Sequence, residues 1–275
     1  MGLKAQAIGR YAMGRAAKRL AALLPCWLGL GAWATQQYIG RMLRELIQSW
    51  AARLPSQCAV CKSWPGPAVC GACVDLFAQP KPRCRRCALA LDNAHQPCPS
   101  CKVAAGPLDA ALAAVSYAYP WAELVQDFKF HENPARARSL AQLMRSAPWV
   151  EPALEAADLL VPMPLSRQRL QTRGFNQALL LAQALEPAKT RVQWLLRLRD
   201  APPQSSLRRG ERLRNVQGAF AIDPLRQADL EGKNVLLIDD VMTSGASLAA
   251  AALPLRQAGV RSVGALVFAR AEVSN

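Results

Sequence analysis

The texture of hydrophobic and polar positions changes twice along this chain. Residues 42–54 alternate apolar and polar side chains at helical spacing and predict a short helix. Residues 56–103 are rich in cysteine and proline and carry little hydrophobic periodicity. Such a stretch cannot build its own core and needs a covalent or metal staple. From about residue 108 onward, apolar runs alternate with helical patterns. Strands are expected at 112–119, 159–162, 193–198, 235–238 and 263–268, and helices at 121–130, 135–147, 174–186 and 246–258, the last ending at Gly259. Strands alternating with helices predict a mainly parallel sheet flanked by helices on both faces. The organisation read from this is an N-terminal extension with a short helix (1–54), a cysteine-rich module (55–104) and an α/β domain (108–275).

Composition sharpens the picture in three places. The chain of 275 residues is 52% hydrophobic, enough for a large core, and carries a net charge of +15 spread along its length. That excess suits polyanionic partners: nucleotides, diphosphates, nucleic acid or an anionic membrane surface. The two histidines leave little room for histidine-based metal or acid–base chemistry. Residues 20–34, LAALLPCWLGLGAWA, superficially resemble a secretory signal, but the run is too short to span a bilayer and contains Pro25. No integral membrane span is expected. Residues 1–41 read as poorly folded or as a misplaced start, with Met42 a candidate first residue.

Eight of the nine cysteines fall in four Cys-x-x-Cys pairs: Cys58/Cys61, Cys70/Cys73, Cys84/Cys87 and Cys98/Cys101. Each pair offers two thiolates on a tight knuckle, and two knuckles complete a tetrahedral zinc site. Eight thiolates therefore imply two structural Zn²⁺ ions and a reducing, cytoplasmic setting. The pairs combine either sequentially or as a cross-brace. Cys26 stands apart as a free buried thiol. Lys81, Arg83, Arg85 and Arg86 crowd the linker between the middle pairs, to contact nucleic acid or to offset thiolate charge.

The most informative segment is VLLIDDVMTSGAS, residues 235–247. A buried strand runs into Asp239 and Asp240, and Thr243, Ser244, Gly245, Ala246 and Ser247 then open a helix. A turn at a helix N-terminus presents unpaired N–H groups and the positive end of the helix dipole, a phosphate site. Gly245 lets the backbone approach closely, the hydroxyls add donors, and the two carboxylates can accept from neighbouring ribose hydroxyls. Open α/β sheets bind ligands at this end of a strand. The segment is neither a Walker loop nor a Gly-x-Gly-x-x-Gly turn.

A second constellation, VPMPLSRQRLQTRGFNQ, places Arg167, Arg169 and Arg173 after another short strand, where guanidinium forks suit phosphate. A third, residues 199–220, is a polar loop with Gln204, Arg208, Arg212 and Asn215, suited to closing over a diphosphate.

The 235–247 segment resembles the phosphoribosyl pyrophosphate (PRPP) motif of type I phosphoribosyltransferases. In their order, the three segments, the cysteine pairs, Phe128-Lys129-Phe130 and the terminal Ala269-Arg270 resemble the ComF family of competence-associated phosphoribosyltransferase-like proteins, over residues 55–270. The departure is Ala201-Pro202, where the family often has Thr before Pro-Gln. The resemblance implies a type I phosphoribosyltransferase fold behind a double zinc ribbon with sequential pairing. It implies that Asp239 and Asp240 hold the ribose hydroxyls, that 243–247 hold the 5-phosphate, and that pyrophosphate and Mg²⁺ lie near 165–173. The implied activity is pentosyl transfer from PRPP, with acceptor specificity in residues 108–150 or the zinc module and a role in DNA uptake among competence proteins. A non-enzymatic alternative, a nucleotide sensor or an accessory protein gripping single-stranded DNA, stays open.

Overall fold

The computed structural model describes residues 56–93, 98, 101, 106–130, 134–199 and 218–272. The predicted 42–54 helix, the 1–41 extension, Cys26, Gln204, Arg208, Arg212 and Asn215 lie outside the described residues. Within them the elements run α1 (Gly71–Phe77), β1 (Ala110–Ser116), α2 (Trp121–Phe130), α3 (Arg136–Ser146), α4 (Val150–Ala156), β2 (Leu159–Pro162), α5 (Arg167–Arg173), α6 (Gln177–Leu185), β3 (Leu195–Arg197), β4 (Phe220–Ile222), a 3₁₀ turn (Pro224–Arg226), α7 (Gln227–Leu230), β5 (Asn234–Met242), α8 (Ala246–Gln257) and β6 (Ser262–Arg270).

Four strands form a parallel sheet in the order β1-β6-β5-β2, and β3 and β4 form a small antiparallel pair. A sheet covered on both faces needs strands that are apolar at every position, because successive side chains alternate between faces. Strand β5 meets that demand. Val235 and Leu237 join one core with Leu159, Val161, Val263 and Ala265, under α8 and the β3–β4 pair. Leu236 and Ile238 join the other with Leu160, Leu266 and Phe268, under α2, α3, α4 and α6. The expected parallel sheet with helices on both faces is what the chain forms.

The two halves of the cysteine-rich segment divide between these cores. Ala59, Val60, Val69, Val74 and Phe77 pack against the α2–α6 side, where the buried Trp121 indole donates to the Phe77 carbonyl at 2.9 Å. Cys84, Cys87, Ala88, Leu89 and Cys98 are built into the α8 side.

Several elements differ from the sequence pattern. The helix expected at 174–186 is α6, and a further helix, α5, precedes it where a loop was expected; Gly174 takes a left-handed conformation (φ 73°) and ends α5. Helices α1, α4 and α7, strand β4 and the 3₁₀ turn are not in the sequence pattern; each is seven residues long or shorter. Strand β5 does not stop before the acids but continues to Met242, since β6 pairs with it through Asp239↔Val267, Val241↔Ala269 and Met242↔Arg270.

Leu237 is fully buried at the centre of this sheet. Leu237→Ala is expected to lower unfolding stability by about 2–5 kcal/mol, read as a shift in the urea midpoint at unchanged slope.

Candidate functional site

Strand β2 stops beside Ile238, the last residue of β5 to which it is paired, while β6 runs on beside β5. The Met163 N–H still bonds the Ile238 carbonyl at 2.9 Å, and the chain then turns away into α5. The two strands part there, and Asp239 and Asp240 are the residues of β5 that directly follow their last shared position.

Asp240 is buried and pairs at 3.2 Å with Nζ of Lys129 in the last turn of α2, which packs on the same face of the sheet as Ile238. Asp239 is half-buried, and its Oδ1 accepts the Asp240 N–H at 2.9 Å. Loss of hydration, and next the neighbouring Asp240 charge, push the Asp239 carboxyl up to about 7, although the Asp240 N–H, Lys129 and Arg173 pull the other way.

Beyond them, Thr243 is exposed and Gly245 caps α8 with φ 77°. A side chain at Gly245 would be held in a left-handed backbone, which favours glycine; the 2.5 Å approach of its Cβ to Met242 Cε would be relieved by movement of that flexible side chain. The Ala246 N–H bonds Ser244 Oγ at 3.3 Å. The N–H groups of Thr243, Ser244 and Gly245 take no backbone partner among the described residues. Open amides, hydroxyls from Thr243, Ser244 and Ser247, and the start of a twelve-residue helix thus converge beside two carboxylates, an arrangement able to hold a phosphate and a vicinal diol together.

The arginine segment is a short helix where a loop was expected. Ser166, itself buried, caps α5 by accepting the Arg169 N–H at 3.2 Å. Arg167 and Arg169 are exposed. Arg169 and Arg173 lie one turn apart on a common side. Only Arg173 is drawn in: it is half-buried, feels both aspartates, and lies 5.4 Å from the centre of the Phe130 ring. Burial pulls its guanidinium below the usual arginine range, and the aspartates oppose this. The following residues are structural. Phe175 packs on Phe128 at 5.8 Å. Asn176 caps α6 through the Leu179 N–H at 3.3 Å and donates to the Met163 carbonyl at 3.0 Å. The buried Gln177 accepts from Arg173 at 3.2 Å, leaving its Nε2 without a partner among the described residues. Lys129, seen in the sequence only as part of the Phe-Lys segment, was missed as a site residue. Its signal was slight: a lysine flanked by two phenylalanines at the end of an amphipathic helix.

The cysteines gather as two groups, Cys58/Cys61/Cys70/Cys73 and Cys84/Cys87/Cys98/Cys101, with all sulfurs of a group within 4.8 Å of one another. Tetrahedral coordination with metal–sulfur bonds of about 2.3 Å sets neighbouring sulfurs about 3.8 Å apart. The closest pairs stand at 3.9 and 3.6 Å in the first group and at 3.8 and 3.5 Å in the second. Both groups therefore fit a four-thiolate metal site, compatible with a zinc ribbon, and the grouping is sequential rather than cross-braced. No helix among the described residues is long and apolar enough to cross a membrane.

Comparison with known proteins places these features in context. Residues 200–274, which contain β4 to β6 and the 243–247 turn, match the phosphoribosyl transferase domain model. The chain is 27% identical to the DNA utilization protein YhgH of Escherichia coli K12 over 207 residues, 71% of this chain and 87% of that protein. It is 31% identical to competence protein F of Haemophilus influenzae over 169 residues, 56% of this chain and 70% of that protein. It is 41% identical to competence protein ComFC of Bacillus subtilis over 101 residues, 37% of this chain and 39% of that protein.

Elemental analysis of the purified chain is expected to return two equivalents of a thiolate-binding metal. Replacing Cys70 and Cys73 together by serine should leave one, held by the second group; retention of both would show that the groups are not separate sites.

Proposed function

Since this chain belongs to the ComF family, we propose that it is a phosphoribosyltransferase-like protein that binds PRPP, or a ribose 5-phosphate moiety, at the carboxyl end of β5 and serves DNA uptake. One observation carries the reading: two carboxylates at the end of a buried strand lead within five residues to a helix start whose amides are open and whose Gly245 adopts φ 77°.

In this reading the 5-phosphate lies on the amides and hydroxyls of residues 243–247, and the ribose 2′- and 3′-hydroxyls donate to Asp239 and Asp240. The second of these carboxylates is covered by Lys129, so the ribose reaches it as the lysine swings away toward the incoming phosphates. Arg173 and Arg169 receive the pyrophosphate from α5, with Arg167, Arg208 and Arg212 as further cations around it. Mg²⁺ suits hard oxygen donors; near residues 165–173 the pyrophosphate oxygens would supply them, and the ion would neutralise charge developing on the leaving pyrophosphate. The chain's own contribution is positioning and electrostatics. The carboxylates stabilise positive charge on the ribose ring, the arginines negative charge on the leaving group, and the amides anchor the end that does not react. The two tetrathiolate groups hold structural Zn²⁺, whose ligands must be reduced, and this fits the cytoplasm.

The YhgH relatives are named for DNA utilization and two others for competence. With Arg167 and Arg169 exposed on a chain of net charge +15, single-stranded DNA is the partner to test against PRPP.

Asp239→Asn combined with Asp240→Asn should abolish PRPP binding in the presence of Mg²⁺ by calorimetry while the melting curve stays cooperative; unaltered affinity would refute the site. Salt-dependent binding of single-stranded DNA by a chain that ignores PRPP would favour the DNA-gripping reading.

The raised Asp239 carboxyl gives a second expectation. Below about 7 it is protonated and no longer offers a full carboxylate to a hydroxyl or a cation. PRPP affinity should therefore fall as pH drops from 8 to 6, by up to about tenfold per unit below the midpoint. Asp239→Asn should flatten the profile, and an unchanged slope in that variant would assign the titration to another group.

A further inference from the structure

Arg270 ends β6 and is 2% exposed, one of the largest fully buried side chains. It binds backbone carbonyls from two different places. Nε donates to the carbonyl of Cys87, a member of the second cysteine group, at 2.8 Å. Nη1 donates to the carbonyl of Met242 at 3.0 Å and also to those of Thr243 and Ala271.

The identity of those carbonyls matters. In a trans peptide unit the C=O and the N–H point in opposite directions. The Met242 carbonyl shares its peptide unit with the Thr243 N–H, and the Thr243 carbonyl shares its unit with the Ser244 N–H. A donor that fixes both carbonyls on the buried side turns both N–H groups outward, toward the phosphate position. Without such a donor the Met242 carbonyl would keep the Ala271 N–H at 3.0 Å, but the Thr243 carbonyl would lose its partner, at a cost of about 1–3 kcal/mol, and the turn would relax from Thr243 onward.

The second cysteine knuckle is held to the same strand end by further bonds. Arg83, next to Cys84, donates to Ser116 Oγ at 3.0 Å and to the Ala88 carbonyl at 3.0 Å, and pairs with Glu272 at 3.3 Å. Glu272 accepts the Ala90 N–H at 3.2 Å and the Ser116 hydroxyl at 3.0 Å. At the other end of β1, the Ala111 N–H bonds the Arg85 carbonyl at 2.7 Å. The first cysteine group is attached elsewhere, on the opposite face of the sheet through Phe77 and Trp121.

We infer that Arg270 is a positioning residue joining the second metal site to the phosphate turn, so that metal bound by Cys84, Cys87, Cys98 and Cys101 sets the orientation of the Ser244 amide and the turn that follows it, whereas metal at the first group does not. The ligand consequence rests on the ribose-phosphate reading above; the coupling itself does not.

The test uses the whole wild-type chain, stripped gradually with a chelator. At each step, mass spectrometry reads which cysteines have become alkylatable and how fast the amides of 243–247 exchange for deuterium. Exchange at the turn is expected to accelerate at least tenfold in step with exposure of Cys84, Cys87, Cys98 and Cys101, and to be indifferent to exposure of Cys58, Cys61, Cys70 and Cys73. Exchange that follows the first group, or neither, overturns the inference. Arg270→Lys, which keeps the charge but cannot span both places, should retain both metals yet show the fast turn and bind ribose 5-phosphate at least tenfold more weakly. If the wild-type chain does not bind ribose 5-phosphate at all, the functional reading fails, and the exchange data still decide the coupling.

Discussion

A strand buried on both faces cannot end in two consecutive carboxylates without help. Neighbouring residues of a strand point to opposite faces, so one cation placed between them does not serve both equally. Like charges this close also oppose each other's ionisation. Most of the geometry at the carboxyl edge of this sheet answers that demand. Helix α2 delivers Lys129 to Asp240, α5 ends with Arg173 drawn toward both acids, and the Asp240 amide turns to Asp239. The cations do not suffice, since Asp239 still titrates near 7. The site is under-neutralised on that carboxylate and open at the adjacent turn. This is the electrostatic state in which hydroxyl donors and a cation would be welcome, as the proposed reading of the site requires.

The same edge explains the division of labour between the cysteine groups. A segment of this length without hydrophobic periodicity gains little from burial, so each half leans on a core that the α/β sheet has already built, and its four thiols are gathered where a metal could staple the knuckle itself. The first half leans on the face that carries α2 and Lys129. The second half forms part of the other face and reaches the strand ends through Arg83, Glu272 and Arg270. The two groups are alike in chemistry and different in what they touch. Sequence spacing alone could not show this, because both offer the same pairs at almost the same intervals.

What was legible in the sequence was local. The apolar run of β5, the Thr-Ser-Gly turn and the cysteine knuckles are each written within a dozen residues, and each is found where the pattern put it. What was not legible depends on partners far along the chain. The end of β5 is set by whether β6 keeps pairing, not by the polarity of Asp239. The pairing of Lys129 with Asp240 and the reach of Arg270 to Cys87 join residues more than a hundred apart. Helix α5 escaped for a different reason. None of its residues is buried, so it has no apolar stripe for periodicity to detect, and only its caps, Ser166 and Gly174, announced it.

That short helix also changes how the Arg-Gly-Phe-Asn-Gln run is understood. Gly174 stops the helix, Phe175 anchors on Phe128, Asn176 starts α6 while holding the end of β2, and Gln177 is buried beneath Arg173. Four of the five residues never need to meet a ligand. They set the angle between two helices, and that angle decides which one of three neighbouring arginines faces the acids. Of the three arginines, the backbone turns Arg173 toward the acids and leaves Arg167 and Arg169 on the exposed side of α5. A motif rich in charge can therefore be mostly a mechanical part, and its exposed arginines are then free to meet whatever polyanion approaches from outside.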